Sequence, residues 1–249
     1  MAPTSTPSSE QTDSTHPDAF KDQWVPETRL GKWFLSTEWW SVFVLNEAIS
    51  DLHQLARERL PEERPVLLDI GCGQGASFPL LEQYFSPQSI CGVDVDPALL
   101  KLAELSGENC CCEVDIHRDS AKKLDLPDNT FDMVFCHQLI HHITFREEAM
   151  EEIYRVLKPG GLLLLSESCQ HFLRVYWVEW LFRHPKMEQK TAEGYIELVN
   201  GAGFEMTEND VHETAPWWSK RDFGLLKKAG LPSSKSVTTE ISLVATKPA

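Results

Sequence analysis

The chain of 249 residues carries 23 basic and 38 acidic side chains, for a formal net charge of −15, with 42% hydrophobic and 24% charged residues. That length accommodates one large α/β domain with a sizeable core, and so acidic a surface repels phosphate backbones and anionic headgroups, arguing against nucleic acid and membranes as partners. No apolar segment approaches the roughly 20 residues of a bilayer span, and the first residues carry no targeting signal, so the expected location is cytoplasmic.

Residues 1–22 are rich in Ser, Thr, Pro and Asp, too poor in apolar groups to offset ordering entropy, and are expected to be a disordered tail. Residues 23–249 are expected to form a single domain. At Trp24 the composition shifts: residues 23–60 carry four tryptophans and then a helical pattern over about 39–60, closed by Pro61, which forms an aromatic N-terminal cap and helix. From residue 65 apolar runs and helical patterns alternate. VLLDI (66–70), SICGVDV (89–95), CCCEVDI (110–116), FDMVFCH (131–137) and GLLLLSES (161–168) are the expected strands. Helices are expected at about 76–85, from Pro97 to about 106, and over 146–157, the last ended by Lys158-Pro159-Gly160-Gly161. Continuous apolar strands separated by helices indicate a doubly wound parallel sheet with helices on both faces. A helix at about 190–201, a strand over 204–213 and an alternating, half-exposed antiparallel strand over 237–248 follow. Segments 169–189 and 213–235 are the expected substrate-side inserts.

The seven cysteines form no C-x-x-C pair. Cys72, Cys91 and Cys136 lie beside or inside apolar strands, where a cysteine behaves as a small apolar residue, and Cys110–Cys112 in an extended strand would alternate between faces. No metal site is expected.

The chemistry is concentrated in VLLDIGCGQGAS (66–77), where Gly71, Gly73 and Ala76 fit the G-x-G-x-x-G/A spacing of a nucleotide-binding strand-to-helix turn. The glycines alone do not separate a nicotinamide dinucleotide from a sulfonium nucleoside. Asp69 bears on the choice: a carboxylate at the loop mouth repels a pyrophosphate and attracts a ligand carrying an ammonium and a sulfonium. Asp94 ends the second strand 23 positions after Gly71, where an acid hydrogen-bonds ribose hydroxyls in either class.

LLDIGCGQG, GVDVDP, LPDNTFDMVFCHQLIHHI and EIYRVLKPGG, in that order, resemble the successive motifs of the class I S-adenosylmethionine-dependent methyltransferases, particularly the ubiquinone/menaquinone-biosynthesis-like small-molecule branch. The resemblance covers roughly residues 65–168. It implies a Rossmann-like seven-stranded sheet whose last strand is antiparallel, and S-adenosyl-L-methionine as cofactor. On this family's pattern Asp69, Gly71, Gly73 and Gly75 fall on the methionine-binding loop, Asp94 on the ribose acid, Asp119 and Ser120 on the adenine contact, and His137 beside the methionine portion. Extra residues before Leu126-Pro127 keep Asp115 as a competitor for the adenine contact.

The acceptor is less defined. His141 and His142 follow the fourth strand, and His141 is the candidate general base, against a packing role for the pair. All eight tryptophans lie outside 65–168. Trp33, Trp39, Trp40, Trp177, Trp180 and Trp217 are the candidate substrate-binding residues, forming an aromatic roof over the strand ends that suits an apolar, planar or cationic small molecule. Beside Trp177 and Trp180, Tyr176 and Glu179 would suit a cationic amine. The expected reaction is methyl transfer to a small, apolar or aromatic molecule. The alternatives are protein or RNA methylation, or S-adenosylmethionine binding without transfer.

Overall fold

The computed structural model describes residues 40–173, 189–216 and 237–249, with isolated positions 20, 28, 30, 31, 33, 37 and 219. Most of the expected tail and of both expected inserts falls outside the described residues, as do Trp24, Trp39, Trp177, Trp180, Trp217 and Trp218. Phe20, inside the expected tail, is buried, with the Arg118 guanidinium 5.4 Å from its ring centroid.

Seven strands form one sheet in the order β3-β2-β1-β4-β5-β7-β6, with β1 at Val66–Ile70, β2 at Ser89–Asp94, β3 at Glu113–Arg118, β4 at Phe131–His137, β5 at Leu157–Ser168, β6 at Val211–Thr214 and β7 at Glu240–Thr246. The first five pair in parallel, and β7 runs antiparallel to both neighbours. The main helices are α1 (Asn46–Ala56), α2 (Phe78–Phe85), α3 (Pro97–Gly107), α4 (Arg146–Val156) and α5 (Ala192–Gly201), and a π-helical turn, Ser41–Leu45, leads into α1. Local chemistry starts these helices. Asp96 caps α3 by accepting the Ala98 amide at 2.9 Å, with Pro97 supplying a preset φ, and Thr191 caps α5 through the Gly194 amide at 3.2 Å.

Strand alternation divides the core in two. Leu67, Met133, Phe135, Leu164 and Val244 pack against α1, α2 and α3. Leu68, Val134, Cys136, Leu165 and Leu243 pack against α4 and α5 on the other face. Both faces of the sheet are therefore covered, as continuous apolar strands require.

Four elements differ from the sequence expectation. β3 starts at Glu113 rather than Cys110, because the Glu82 carboxylate captures the Cys111 and Cys112 amides at 2.8 and 2.6 Å and holds the cysteines in a bend. The Lys-Pro-Gly-Gly turn belongs to β5, where Gly160 donates to the Lys247 carbonyl at 2.8 Å and a register irregularity absorbs the kink. β6 is confined to Val211–Thr214, preceded by a short 3-10 turn at Glu208–Asp210. β7 is buried along nearly its whole length instead of half-exposed. It lies between β5 and β6, with α1 on one side and α5 on the other, so even its polar positions face protein.

Candidate active site

The glycine loop joins β1 to α2 at the carboxyl edge of the sheet. It is tied to β2 by the Gly71 and Cys72 amides, which both donate to the Val93 carbonyl, at 2.8 and 3.0 Å. Gly71, Gly73 and Gly75 all have positive φ. Two of them have distinct reasons to be glycine. A Cβ on Gly75 would lie 2.6 Å from the Phe78 ring and 3.0 Å from Ala103 Cα, so this position lets the loop close onto α2 and α3. A Cβ on Gly73 would meet nothing within 4 Å among the described residues, so its backbone borders open space in which a ligand can approach.

Asp94 organises the loop from the end of β2. Its two carboxylate oxygens accept the Gly73 and Asp96 amides at 2.9 and 2.8 Å. Burial raises its pKa, and these amides work in the opposite direction. Asp69 is buried beneath the loop and accepts the Ser77 hydroxyl. Desolvation pushes its pKa up to about 7, with the Ser77 hydrogen bond partly opposing the rise. Such a carboxyl gains most from a cationic group placed against it.

Asp119 adjoins Asp94: its amide donates to the Asp94 carbonyl at 3.2 Å, and its carboxylate accepts the Ser120 and Asp125 amides at 2.8 and 2.5 Å. The extra residues before Leu126 are thus folded around Asp119. Asp115 sits within edge strand β3, exposed and paired with His117 at 2.8 Å.

His137 ends β4 on the α1 face. Its ring stacks on Phe135 at 5.9 Å between centroids and meets Trp40 at 5.8 Å. It is 9% exposed, and its buried Nε2 has no hydrogen-bond partner among the described residues. Burial lowers its pKa to about 3, so the ring is a neutral acceptor or donor near pH 7. The next residue, Gln138, has φ of +54°, a conformation that non-glycine residues adopt at some cost and that clusters at functional sites.

His141 occupies a different environment. It is 3% exposed, its Nδ1 lies 2.6 Å from Glu167, and burial lowers its pKa to about 3. Glu167 also accepts the Leu139 and Ile140 amides at 2.8 and 2.7 Å. One buried carboxylate on β5 therefore fixes the whole turn after β4, and its own pKa is pushed up to about 8 by burial.

A narrow cleft, open to solvent, lies between α1 and the ends of β4, β5 and β7. His137 and Gln138 line it and His141 does not. Along β5 and β7 the α1-facing residues change from Leu164 and Val244 to Ser166, Ser242 and Glu240, and the cleft opens where they change. Glu240 is buried, accepts Ser168 Oγ at 3.0 Å and Gln138 Nε2 at 3.2 Å, and burial holds its pKa well above the usual carboxylate range. Sequence reasoning missed Gln138, Ser166, Glu240 and Ser242. The signal was the serine interrupting the leucine run at 162–165, but only the pairing of β5 with β7 brings Glu240 beside it. Of the candidate tryptophans, Trp40 reaches the site and Trp33 is 64% exposed. Among the described residues no group of three His, Cys, Asp or Glu side chains is placed to hold a metal ion, and no helix is long and apolar enough to cross a membrane.

The sheet order, the glycine turn and the acid ending β2 define a Rossmann-like nucleoside-binding architecture. Residues 68–165 match the family model described as a methyltransferase domain, and this stretch of the chain is similar to S-adenosylmethionine-dependent methyltransferases. The chain is 34% identical over 152 residues to a methyltransferase-like protein of Schizosaccharomyces pombe, covering 59% of this chain and 57% of that one. It is 32% identical over 122 residues to demethylmenaquinone methyltransferase of Lactiplantibacillus plantarum, covering 47% and 51%. With phosphoethanolamine N-methyltransferase 3 of Arabidopsis thaliana the identity is 29%, over 42% of this chain and 21% of the relative. The chain thus spans about half the length of the first two relatives and a fifth of the third. Among solved structures, an S-adenosylmethionine-dependent methyltransferase from Mesorhizobium loti superposes with a TM-score of 0.57 at 17% identity, over 78% of this chain and 96% of that one. The cyclase SpnF superposes at 0.59 and 22% identity, over 80% and 81%.

Proposed function

We propose that the chain transfers the methyl group of S-adenosylmethionine to a small molecule, with the donor held over β1, β2 and β3 and the acceptor in the cleft over β4, β5 and β7. The observation that carries this reading is the adjacency of two differently built sites along one sheet edge, with His137 at their boundary. The cofactor supplies an electrophilic methyl carbon on a sulfonium. The chain's residues fit it: Gly73 leaves the loop backbone open, Asp94 presents a carboxylate at the end of β2, and the buried Asp69 carboxyl is suited to a cationic methionine end. Asp119 and Ser120 are assigned to the adenine side, because Asp119 is anchored to Asp94 whereas Asp115 faces solvent.

Methyl transfer is a displacement that needs the acceptor aligned and water excluded. His137, neutral and fixed by Phe135 and Trp40, is placed to orient an acceptor hydrogen through Nε2. His141 takes a structural role, its imidazole and the turn that carries it being locked to Glu167. Trp39, Trp177, Trp180 and Trp217 remain candidates for the aromatic roof, with Trp40 its inner edge and Trp33 its outer. The acidic balance of the chain favours a small-molecule acceptor over RNA or a membrane-bound one.

The likeness to a cyclase supports a second reading, in which the same fold binds a nucleoside without transferring its methyl group. Labelled S-adenosylmethionine incubated with the chain and a panel of amines, phenols, thiols and quinones separates the two. Transfer to a panel member is expected. Stabilisation by S-adenosylhomocysteine with no transfer to any acceptor would favour the second reading, and stabilisation by a nicotinamide dinucleotide alone would overturn both.

A further inference from the structure

The cleft between α1 and the ends of β4, β5 and β7 has a chemical bias of its own. Glu47, Asp51 and Glu240 line it, and among the described residues neither lysine nor arginine does. Glu47 is exposed at the rim, Asp51 is paired with His212 at 3.0 Å, and Glu240 is buried at the floor. Acidic residues alone do not make a site. The independent observation is His137: its ring is more than nine-tenths buried, it lines the same cleft, and its Nε2 lacks a hydrogen-bond partner among the described residues. A buried nitrogen left in that state is destabilising unless a ligand completes it.

We propose that this cleft accepts a primary or secondary amine, whose N–H is taken by His137 Nε2 and whose developing positive charge draws the buried Glu240 carboxyl into its ionised form, with Glu47 and Asp51 drawing the amine in. The inference rests on the methyltransferase reading above. In the transfer, the nitrogen lone pair forms the new N–C bond, the C–S bond breaks, and its electron pair passes to sulfur. The proton on nitrogen stays with the product, so the charge that leaves the sulfonium appears on the acceptor as an ammonium. An amine that arrives as an ammonium first gives its extra proton to water through the open cleft, because only the neutral nitrogen has a lone pair, and His137, which burial keeps neutral, then accepts a hydrogen bond from the N–H that remains. An alcohol or phenol makes the opposite demand: it must shed a proton and present oxygen with negative character beside a buried carboxyl and two further acids. The charge lining therefore favours nitrogen over oxygen acceptors. Gln138 and Ser168 hold the Glu240 carboxyl in place, so the partner of the cation is fixed before binding.

The test uses the full chain with S-adenosylhomocysteine for binding and labelled S-adenosylmethionine for transfer. Benzylamine, cyclohexylamine and ethanolamine are compared with benzyl alcohol, cyclohexanol and phenol. Calorimetry on the S-adenosylhomocysteine complex is expected to show binding of at least one amine and none of its oxygen counterpart, and transfer should follow the same preference. Glu240→Gln should weaken amine binding roughly tenfold or more while leaving S-adenosylhomocysteine affinity intact. Should that variant fail to fold, Glu47→Gln at the exposed rim should weaken amine binding by about threefold. Preference for the oxygen compounds, failure of every amine to bind, or amine affinity unchanged in both variants would overturn the inference while the methyltransferase reading stands. Failure of the wild-type chain to bind S-adenosylhomocysteine would instead remove that reading and the amine proposal with it.

Discussion

The two halves of the sheet's carboxyl edge are built by opposite means. On the β1, β2 and β3 side the site is made of backbone: loop amides, positive-φ glycines and carboxylates that organise those amides, all from residues 69–125. On the β4, β5 and β7 side it is made of side chains brought from distant parts of the sequence, with Gln138 and Glu240 bonded across 102 positions. A backbone cradle recognises what every ligand of a class shares, whereas a side-chain cleft can change with each acceptor. The first half is fixed chemistry and the second is adjustable.

The comparison breaks most visibly at the glycines. Gly75→Ala introduces a Cβ at φ of +74°, 2.6 Å from the Phe78 ring, and should cost about 3 kcal/mol from left-handed strain plus overpacking. Gly160→Ala, at φ of +80° with nothing within 4 Å among the described residues, should cost about 1 kcal/mol. Denaturant unfolding of the two variants gives the difference, and equal losses would show that the loop is not closed onto α2. Next in size, Asp94→Ala should lower S-adenosylhomocysteine affinity about 30- to 100-fold, since it removes a charged hydrogen-bond acceptor for both ligand and loop. His137→Phe should do the reverse: turnover falls by about tenfold, as the acceptor loses one hydrogen bond, while S-adenosylhomocysteine affinity changes less than about threefold. A large loss of cofactor affinity in this variant would move His137 wholly to the donor half.

The smallest effect depends on pH. With its pKa raised to about 7 by burial, Asp69 is protonated below that value in the free protein and ionises when a cationic methionine end binds. Binding therefore releases a proton below about pH 7, and S-adenosylhomocysteine affinity should fall by up to about tenfold per pH unit as the pH is lowered, with little change above pH 8. Asp69→Asn should abolish that slope. The same raised pKa means that Asp69 contributes stability below its ordinary value of 3.8, lost as pH rises towards 7, so the asparagine variant without ligand should unfold no more easily than wild type at pH 8. Isothermal titration at several pH values and thermal unfolding check both statements.

The same contrast explains what could be read from the sequence. The order of strands and helices from residue 65, the glycine turn, Asp69 and Asp94 were legible because each depends on neighbours a few residues away. Cys110–Cys112 misled because strand propensity carries no knowledge of Glu82, which takes two of their amides from another element. β7 looked half-exposed because its alternation of serine and glutamate with apolar residues signals a solvated face, and only the sheet order shows that this face meets α1. His141 fits a base by position, yet the glutamate that locks it lies 26 residues further on.

The place of β7 also bears on synthesis. It follows β6 in the chain yet lies between β5 and β6, so β6 has no strand partner until β7 has left the ribosome and entered the gap. The donor cradle, whose strands are all upstream, can take shape on a nascent chain. The cleft lined by Glu240 and Ser242 is complete only once β7 has entered the sheet.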